Sequence, residues 1–280
     1  MTRSQTTSNK KPRSSRAKTK AQATKVEQVT TDLSPQLTEQ FRSLRLPSFR
    51  DQFQEAADQA AAEQLSHLQY LSELTTLECE TRRQGRIKRL MTRSRLPAGK
   101  TWETFDFGRL PLTVTRQMES LRDGSFLDRR ENLLIFGKPG SGKSHVLCAL
   151  AEQLILQGRS MMFTTCSLLV QQLLIAKRDL RLPKLIKQLS SFEGLLIDDL
   201  GYVQQSREEM EVLFTLLADR YERGSVLLTS NLPFSKWETI FKDPMTTAAA
   251  IDRLVHHSVI LELNISSCRL EAAKRTKEAA

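Results

Sequence analysis

The stretch FGKPGSGKSHVLCAL, residues 136–150, contains a glycine-rich turn between an apolar run and a helical pattern. The turn fits G-x-x-x-x-G-K-[ST], a motif in which loop N–H groups and a helix N-terminus point at the phosphates of a nucleotide. A chance glycine turn is the alternative, but the strand before it and the helix after it favour a nucleoside triphosphate site. Lys143 is expected to reach the β- and γ-phosphates, and the Ser144 hydroxyl is expected to bind Mg²⁺. The predicted nucleotide-binding residues are Gly137, Lys138, Pro139, Gly140, Ser141, Gly142, Lys143 and Ser144.

Polar residues that end two later strands would complete such a site. The run LLIDDLG ends in Asp198 and Asp199 at the carboxyl end of a predicted strand, where parallel sheets bind ligands. Asp198 suits the magnesium ion, and Asp199 suits orienting or deprotonating a water molecule, although twin acids can also cap the following segment. Asn231 ends the run LLTSN, where it can contact the γ-phosphate or simply form a turn. His145, in the first turn of the helix after the motif, is interpreted as a packing residue.

The charge of the chain points to a polyanionic partner. Its formal net charge is +10 and its pI is about 9.6. This excess favours nucleic acid over a membrane surface, because neither end shows a basic amphipathic helix with bulky apolar anchors. Scattered cysteines without a Cys-x-x-Cys pair favour reduced thiols in the cytoplasm over a disulfide framework or a zinc site.

Composition divides the chain into four expected regions. Residues 1–30 are predicted to form a disordered basic arm; a transit peptide is the alternative, which the lack of Leu, Ile and Phe in residues 1–25 disfavours. Residues 31–95 are predicted to form a helical domain that binds DNA or a partner, and residues 96–130 a linker whose aromatics dock on the next domain. Strand-like and helical runs alternate over 131–280, which predicts a parallel α/β sheet wrapped by helices, with helical stretches at 143–157, 167–191, 206–223 and 234–257.

Four arginines of the helical region are spaced four, three and four residues apart, which places them on one helix face. The face is predicted to track DNA phosphates, with a solvated cationic stripe as the alternative. These residues are Arg82, Arg86, Arg89 and Arg93.

Several separate motifs together resemble one family. GKPGSGKSHVLCAL, LLIDDLGY, RYERGSVLLTSNLPFSKWETIF, AAAIDRLVHHSVILEL and SSCRLE, with LRLPSFRDQFQEAA and WETFDF before them, are similar to the IstB-type transposition helper ATPases. That family is related to the helicase loader DnaC and the initiator DnaA within the AAA+ class. The resemblance covers roughly residues 40–272. It implies an AAA+ ATPase core without a full C-terminal lid, preceded by a small all-helical domain.

The resemblance also implies roles that spacing does not. It makes Asp199 the catalytic acid and Asn231 a sensor of the γ-phosphate. Arg253 falls where such proteins place an arginine finger that acts on a neighbour's ATP; by itself it would be read as a surface ion pair with Asp252. Arg269 falls at a second sensor, where relatives usually have Tyr before the Arg and this chain has Cys268.

The resemblance implies a DNA-binding role for a second group of cations. Initiator-type relatives use a helical insertion before the Asp198 strand to grip DNA inside a spiral of subunits; a solvated charge run is the alternative. The cations of this insertion are Lys177, Arg178, Arg181, Lys184 and Lys187.

The function expected from these features is ATP-controlled, head-to-tail assembly on duplex DNA that delivers target DNA to a transposase, with ATP and Mg²⁺ as cofactors. A DnaC-like helicase loader would use the same ATPase core to bind a replicative helicase. A small-molecule P-loop kinase would be monomeric, indifferent to DNA and stimulated by an acceptor.

Overall fold

Apolar runs of the sequence form the strands of a parallel sheet in the computed structural model, which describes residues 32–201, 206–237 and 244–265. All neighbouring strands run parallel, in the order β2-β3-β4-β1-β5. The predicted parallel α/β fold is therefore confirmed. The strands are β1 Asn132–Gly137, β2 Met161–Thr165, β3 Gly194–Leu200, β4 Ser225–Ser230 and β5 Ser258–Leu263.

The strand order decides which side chains meet. β4 comes late in the chain, yet it pairs with both β1 and β3 and so separates them. Ligands of open α/β sheets bind outside the carboxyl ends of the strands. The residues that follow β1, β3 and β4 therefore converge at one edge of the sheet.

Helices cover both faces of the sheet. Neighbouring residues of β1 face opposite ways, since Leu134 packs in one buried apolar cluster while Leu133 and Ile135 pack in another. A parallel sheet buried on both faces explains why its strands read as continuous apolar runs. The helices around the sheet are α3 His67–Ser94, α4 Leu112–Leu121, α5 Ser125–Asp128, α6 Lys143–Leu156, α7 Cys166–Arg178, α8 Leu182–Leu189, α9 Arg207–Arg220 and α10 Pro244–Val255.

A smaller unit precedes the sheet. It contains α1 Ser34–Ser43 and α2 Pro47–Ala62, each with a proline in its first turn, as the sequence predicts. The ring of Phe41 lies 5.4 Å from that of Phe49 and 5.5 Å from that of Phe53. The predicted basic arm, 1–30, lies outside the described residues.

The two compact units divide between Ser66 and His67, whereas the sequence places a boundary near residue 95. The difference concerns α3, which belongs to the second unit because it contacts β2 and α6. The expected linker also gains structure, since α4 and α5 form within residues 96–130. Met118 and Phe126 of these helices are almost fully buried in the core, which is why the segment folds.

The helical stretch predicted over 167–191 contains two helices. α7 ends at Arg178, and α8 begins at Leu182 with Pro183 in its first turn. Proline lacks the N–H that would continue the earlier helix, so the chain turns at this point. The stretch predicted as a helix over 234–257 likewise begins with a 3₁₀ turn at Phe234–Lys236, and α10 follows as a separate helix.

None of the helices in the described ranges combines the length and the apolar character needed to cross a membrane.

Candidate nucleotide-binding site

The glycine-rich motif forms a loop between β1 and α6, which begins at Lys143. A Cβ atom at Gly137 would lie 2.6 Å from the carbonyl oxygen of Leu263, and one at Gly142 would lie 2.8 Å from the Phe105 ring. Gly142 also has a φ of 87°, a left-handed conformation that favours glycine. Close contact therefore requires glycine at the first position, and both contact and conformation require it at the second.

Lys143 is held inside this loop. The residue is only 6% exposed. Its Nζ donates hydrogen bonds to the carbonyl oxygens of Gly137 at 2.8 Å and Lys138 at 3.0 Å. The ammonium thus lies beside the N-terminus of α6, where a phosphate would meet both a positive charge and free N–H groups.

A cavity of about 390 Å³ opens beside the loop. This volume is in the range of small-molecule sites. The cavity wall brings five of the eight predicted loop residues together with Asp199 and Asn231, which come from two other strand ends. Gly137, Lys138, Ser141 and Asp198 are not part of the lining. The lining residues are Lys100, Thr104, Phe105, Asp106, Arg109, Pro139, Gly140, Gly142, Lys143, Ser144, His145, Asp199 and Asn231.

Asn231 has an unsatisfied atom at this cavity. Its Oδ1 is buried and finds no hydrogen-bond partner within the described part of the chain. A buried acceptor without a partner costs about 1–3 kcal/mol of desolvation. A ligand or its bound water in the cavity would satisfy this atom.

The acid pair is organised by a residue of β4. Asp198 is 5% exposed, and its Oδ1 accepts a 2.6 Å hydrogen bond from the Thr229 hydroxyl. The same hydroxyl oxygen accepts a 2.9 Å hydrogen bond from the backbone N–H of Asp199. Thr229 therefore orients the Asp198 carboxylate and holds the backbone of Asp199. The sequence marks Thr229 only as one of the polar residues that end β4, because the position of β4 beside β3 is not visible there.

Asp198 and Asp199 have different environments. Asp198 is buried, whereas Asp199 is exposed and lines the cavity. The backbone of Asp199 has a φ of 61°, and the pairing of β3 with β4 shifts register between Ile197 and Leu200. A non-glycine residue held at positive φ is a mark of functional sites when the surrounding structure imposes it. The strained turn aims the Asp199 carboxylate away from the sheet and towards the cavity.

The segment of residues 100–109 forms the remaining wall, which the motifs do not reveal. His145 fastens it to α6, since its Nε2 lies 3.0 Å from the Thr104 hydroxyl and 3.2 Å from the Thr101 carbonyl oxygen. The Phe105 ring meets the imidazole edge to face at 5.1 Å. The one signal in the sequence is the aromatic stretch WETFDF, which is expected to dock on the next domain, but the sequence does not indicate where on that domain.

Burial tunes two groups next to the loop. It lowers the pKa of His145, despite an opposing contribution from the hydrogen bond to Thr101, so the imidazole is neutral at pH 7. Burial raises the pKa of the Cys148 thiol to about 12. Cys148 is a neutral packing group, whereas His145 both packs against Phe105 and hydrogen-bonds the segment of residues 100–109.

Arg253 lies far from this cavity. The residue after it, Leu254, accepts a 3.0 Å hydrogen bond at its carbonyl oxygen from the side chain of Asn132, at the start of β1. Arg253 is therefore close to the start of β1. The loop lies at the other end of β1, roughly 17 Å away at about 3.3 Å per residue. The Arg253 guanidinium lies 4.9 Å from the centre of the Phe214 ring and donates to the Ala249 carbonyl oxygen. The ion pair with Asp252 that the sequence suggests is absent from the described residues.

The arginine stripe of α3 contacts the protein itself. Arg82 pairs at 2.6 Å with the buried Glu78, and Arg86 donates a 3.1 Å hydrogen bond to the Gly158 carbonyl oxygen. The Arg93 guanidinium lies 5.1 Å from the centre of the Phe192 ring. Arg89 is exposed. Three of the four side chains thus help to hold α3 in place.

The cations around the α7–α8 turn are more open. Lys177 pairs with Glu211 at 3.0 Å, and Arg178 pairs with its neighbour Asp179 at 3.2 Å. Arg181, Lys184 and Lys187 are exposed. Surface ion pairs of this kind contribute little energy and exchange readily for other partners. Arg269, the expected second sensor, lies outside the described residues.

Relatives of this chain carry the same description. A putative insertion sequence ATP-binding protein of Sinorhizobium fredii is 40% identical over 235 residues, which are 84% of this chain and 79% of the relative. The insertion sequence IS5376 putative ATP-binding protein of Geobacillus stearothermophilus is 34% identical over 84% of this chain and 94% of its own length.

A solved structure agrees on the fold. The crystal structure of the DnaC helicase loader aligns with a TM-score of 0.52 and 15% identity, over 60% of this chain and 98% of that chain. This likeness shows that the two chains share a fold, a parallel α/β core. The family model for the IstB-like ATP binding protein matches residues 39–277. This chain therefore belongs to the IstB-like ATP-binding proteins.

Proposed function

We propose that the protein hydrolyses ATP and that its ATP-bound form assembles on duplex DNA, which it presents to a transposase. The observation that carries the proposal is the position of Arg253, at the opposite end of β1 from the cavity. An arginine side chain cannot span that distance within one subunit. In a head-to-tail assembly the same edge faces the cavity of the next subunit, so each ATP site would be completed by a neighbour.

The residues at the cavity fit a magnesium-bound triphosphate. Carboxylate and hydroxyl oxygens are the ligands that Mg²⁺ prefers. Ser144, which lines the cavity, and Asp198, the buried neighbour of the cavity-lining Asp199, would supply them. When bound, the ion would neutralise charge on the β- and γ-phosphates. Lys143 would exchange its loop carbonyl partners for phosphate oxygens, which are stronger acceptors because they are charged.

Hydrolysis would fall to the exposed acid and the amide beside it. Asp199 lines the cavity and would orient a water molecule and accept its proton. Asn231 would hold the same water or the γ-phosphate through the amide whose oxygen is otherwise unsatisfied. The developing charge on the transferred phosphoryl group would be stabilised by Lys143 and by the neighbour's Arg253.

Duplex DNA is the partner that the charge favours. The net charge of +10 and the exposed cations at the α7–α8 turn suit a phosphate backbone. The α3 stripe contributes less to this proposal, since most of its arginines already have protein contacts. The names of the relatives, which are insertion-sequence proteins, support a transposase as the recipient of the DNA.

The proposal is tested by following ATP hydrolysis and particle size together, with and without duplex DNA. We expect large particles only with both ATP and duplex DNA, and faster hydrolysis in those particles because each junction completes a site. Particles that stay monomeric and hydrolysis that ignores DNA but responds to a small acceptor would indicate a kinase instead. Assembly on a replicative helicase without a preference for duplex DNA would indicate a helicase loader.

Thr229→Val is expected to weaken magnesium-dependent nucleotide binding by about 10–100-fold, since a group that orients a metal ligand typically contributes this much. Valine keeps the shape of the side chain but cannot donate the hydrogen bond to Asp198. The measurement is nucleotide affinity as a function of Mg²⁺ concentration. Thr164→Val on β2, which removes a buried hydroxyl bonded only to the neighbouring Thr165 carbonyl oxygen, is the matched control. Equal shifts in both variants would show that Thr229 acts through stability alone.

A further inference from the structure

The turn between α7 and α8 carries a leucine whose side chain is almost fully exposed to solvent. Leu180 is 91% exposed, and its backbone has a φ of 56°. Seven non-glycine residues of the described ranges have positive φ, and Leu180 alone among them has an apolar side chain. The other six are Arg45, Gln64, Arg95, Arg130, Asp199 and Glu222.

Neither local conformation nor packing explains a leucine at this position. The left-handed conformation costs an L-residue about 1–2 kcal/mol, and glycine or asparagine usually follows the end of a helix for that reason. A side chain that is 91% exposed gains almost no burial in return. The fold by itself would be at least as stable with a residue that accepts positive φ. A strained residue of this kind points to a function outside the fold.

The turn is rigid enough to present the side chain. The Leu180 N–H donates to the Lys177 carbonyl oxygen at 3.1 Å, and the Arg181 N–H donates to that of Ala176 at 2.7 Å. The helices on either side are anchored by Leu173 and Leu189, which are buried in the core.

Arg220 anchors the C-terminal end of α8, the helix that follows the turn. Its guanidinium is almost fully buried and donates hydrogen bonds to the carbonyl oxygens of Leu189 and Phe192, at the end of α8 and just beyond it. Leu180 is therefore a fixed apolar tip.

Cations surround the tip. Arg181 follows Leu180 directly, and Lys184 lies in the first turn of α8; on the other side Asp179 precedes Leu180, and its charge is offset by Arg178, which pairs with it at 3.2 Å. Arg178, Arg181 and Lys184 are all exposed. Cations attract phosphates, whereas an aliphatic side chain gains energy only where it leaves water. Duplex DNA offers both within a few ångströms, since phosphates line the grooves and apolar base faces lie stacked between them. A second protein surface does not present negative charges as closely and regularly spaced as the phosphates of DNA.

We propose that Leu180 is an apolar wedge that enters a base step of duplex DNA while the flanking cations hold the phosphates. Side chains of this type unstack a step partly and kink the duplex by about 20–90°. The proposal rests on the proposed function, because it needs duplex DNA bound at the α7–α8 turn. It adds that the contact deforms the DNA, and it names the residue that does so.

The test places 2-aminopurine, a base whose fluorescence rises when it unstacks, in a duplex and compares Leu180→Asn with wild type in the presence of ATP. Asparagine accepts positive φ, so the variant should fold as well as wild type, which thermal unfolding checks. We expect the fluorescence rise to be lost, while the slope of log affinity against log salt is unchanged because the phosphate contacts remain. Leu180→Met should retain the rise, since methionine also serves as a wedge. Leu112→Asn, at a leucine that is 64% exposed on α4, is the matched control and should behave as wild type.

Each other outcome is informative. If wild type does not bind duplex DNA, the proposed function fails. If it binds and Leu180→Asn gives the same fluorescence rise, the wedge is wrong while the function stands. If Leu180→Asn reduces particle size with ATP in the absence of DNA, Leu180 contacts a second copy of the chain and the wedge is also wrong.

Discussion

Two inactive variants, Arg253→Ala and Lys143→Ala, are expected to recover ATP hydrolysis when they are mixed. Arg253→Ala should bind ATP but hydrolyse it with a loss on the order of 10³, the contribution typical of an arginine finger. Lys143→Ala should be inactive for the opposite reason, because its own loop lacks the charge that faces the phosphates. A junction that joins the intact cavity of the first variant to the intact Arg253 of the second has every group it needs.

The amount of recovery follows from the geometry of the assembly. Random mixing at equal amounts makes such junctions about a quarter of the total in a head-to-tail oligomer. The measurement is steady-state phosphate release at several mixing ratios, with the double variant as the control that should rescue neither parent. When Lys143→Ala is present in the particles, no recovery at any ratio would show that Arg253 acts within its own subunit or only supports α10 through its contact with Phe214. Thermal unfolding of Arg253→Ala separates that structural role from the loss of hydrolysis.

Asp199→Asn is expected to keep nucleotide binding and to lose hydrolysis by roughly 10²–10⁴, the range of a general base. The substitution is well matched to the site, since asparagine tolerates the φ of 61° that the turn imposes. Because ATP then persists, the assembly on DNA should dissociate much more slowly than that of wild type. Single-turnover hydrolysis and the lifetime of the DNA complex are the two measurements.

Asp198→Asn provides the contrast for that experiment. Asp198 is buried beside Thr229 and is proposed to hold Mg²⁺, so its loss should weaken nucleotide binding itself. If Asp199→Asn hydrolyses ATP at the wild-type rate, the exposed acid only ends the strand and the proposed division of labour is wrong.

Completion of the ATP site by a neighbour would make hydrolysis a consequence of assembly. An isolated subunit holds a cavity with its loop and acids in place but without Arg253, which lies at the far end of β1. ATP would therefore persist until a subunit has joined a neighbour. The cations and Leu180 at the α7–α8 turn would couple that step to DNA.

The sequence by itself determines the phosphate-binding loop and the parallel sheet. The loop is contiguous, and the function proposed for it depends on backbone N–H groups and on two adjacent side chains, Lys143 and Ser144, so a short motif contains all the information. The strands are visible because burial on both faces makes them continuous apolar runs. The two acids are visible because they end such a run.

Only the tertiary structure decides which distant residues meet. Thr229 orients Asp198 because β4 lies between β1 and β3, although it follows both in the chain. The segment of residues 100–109 is held at the cavity by contacts with residues some 40 positions later, among them His145 and Gly142. The spacing of Arg86 and Arg93 predicts cations that face DNA or solvent, yet Arg86 contacts Gly158 and Arg93 contacts Phe192. Helical spacing states which side chains share a face, and the packing of elements far apart in the chain decides what that face touches.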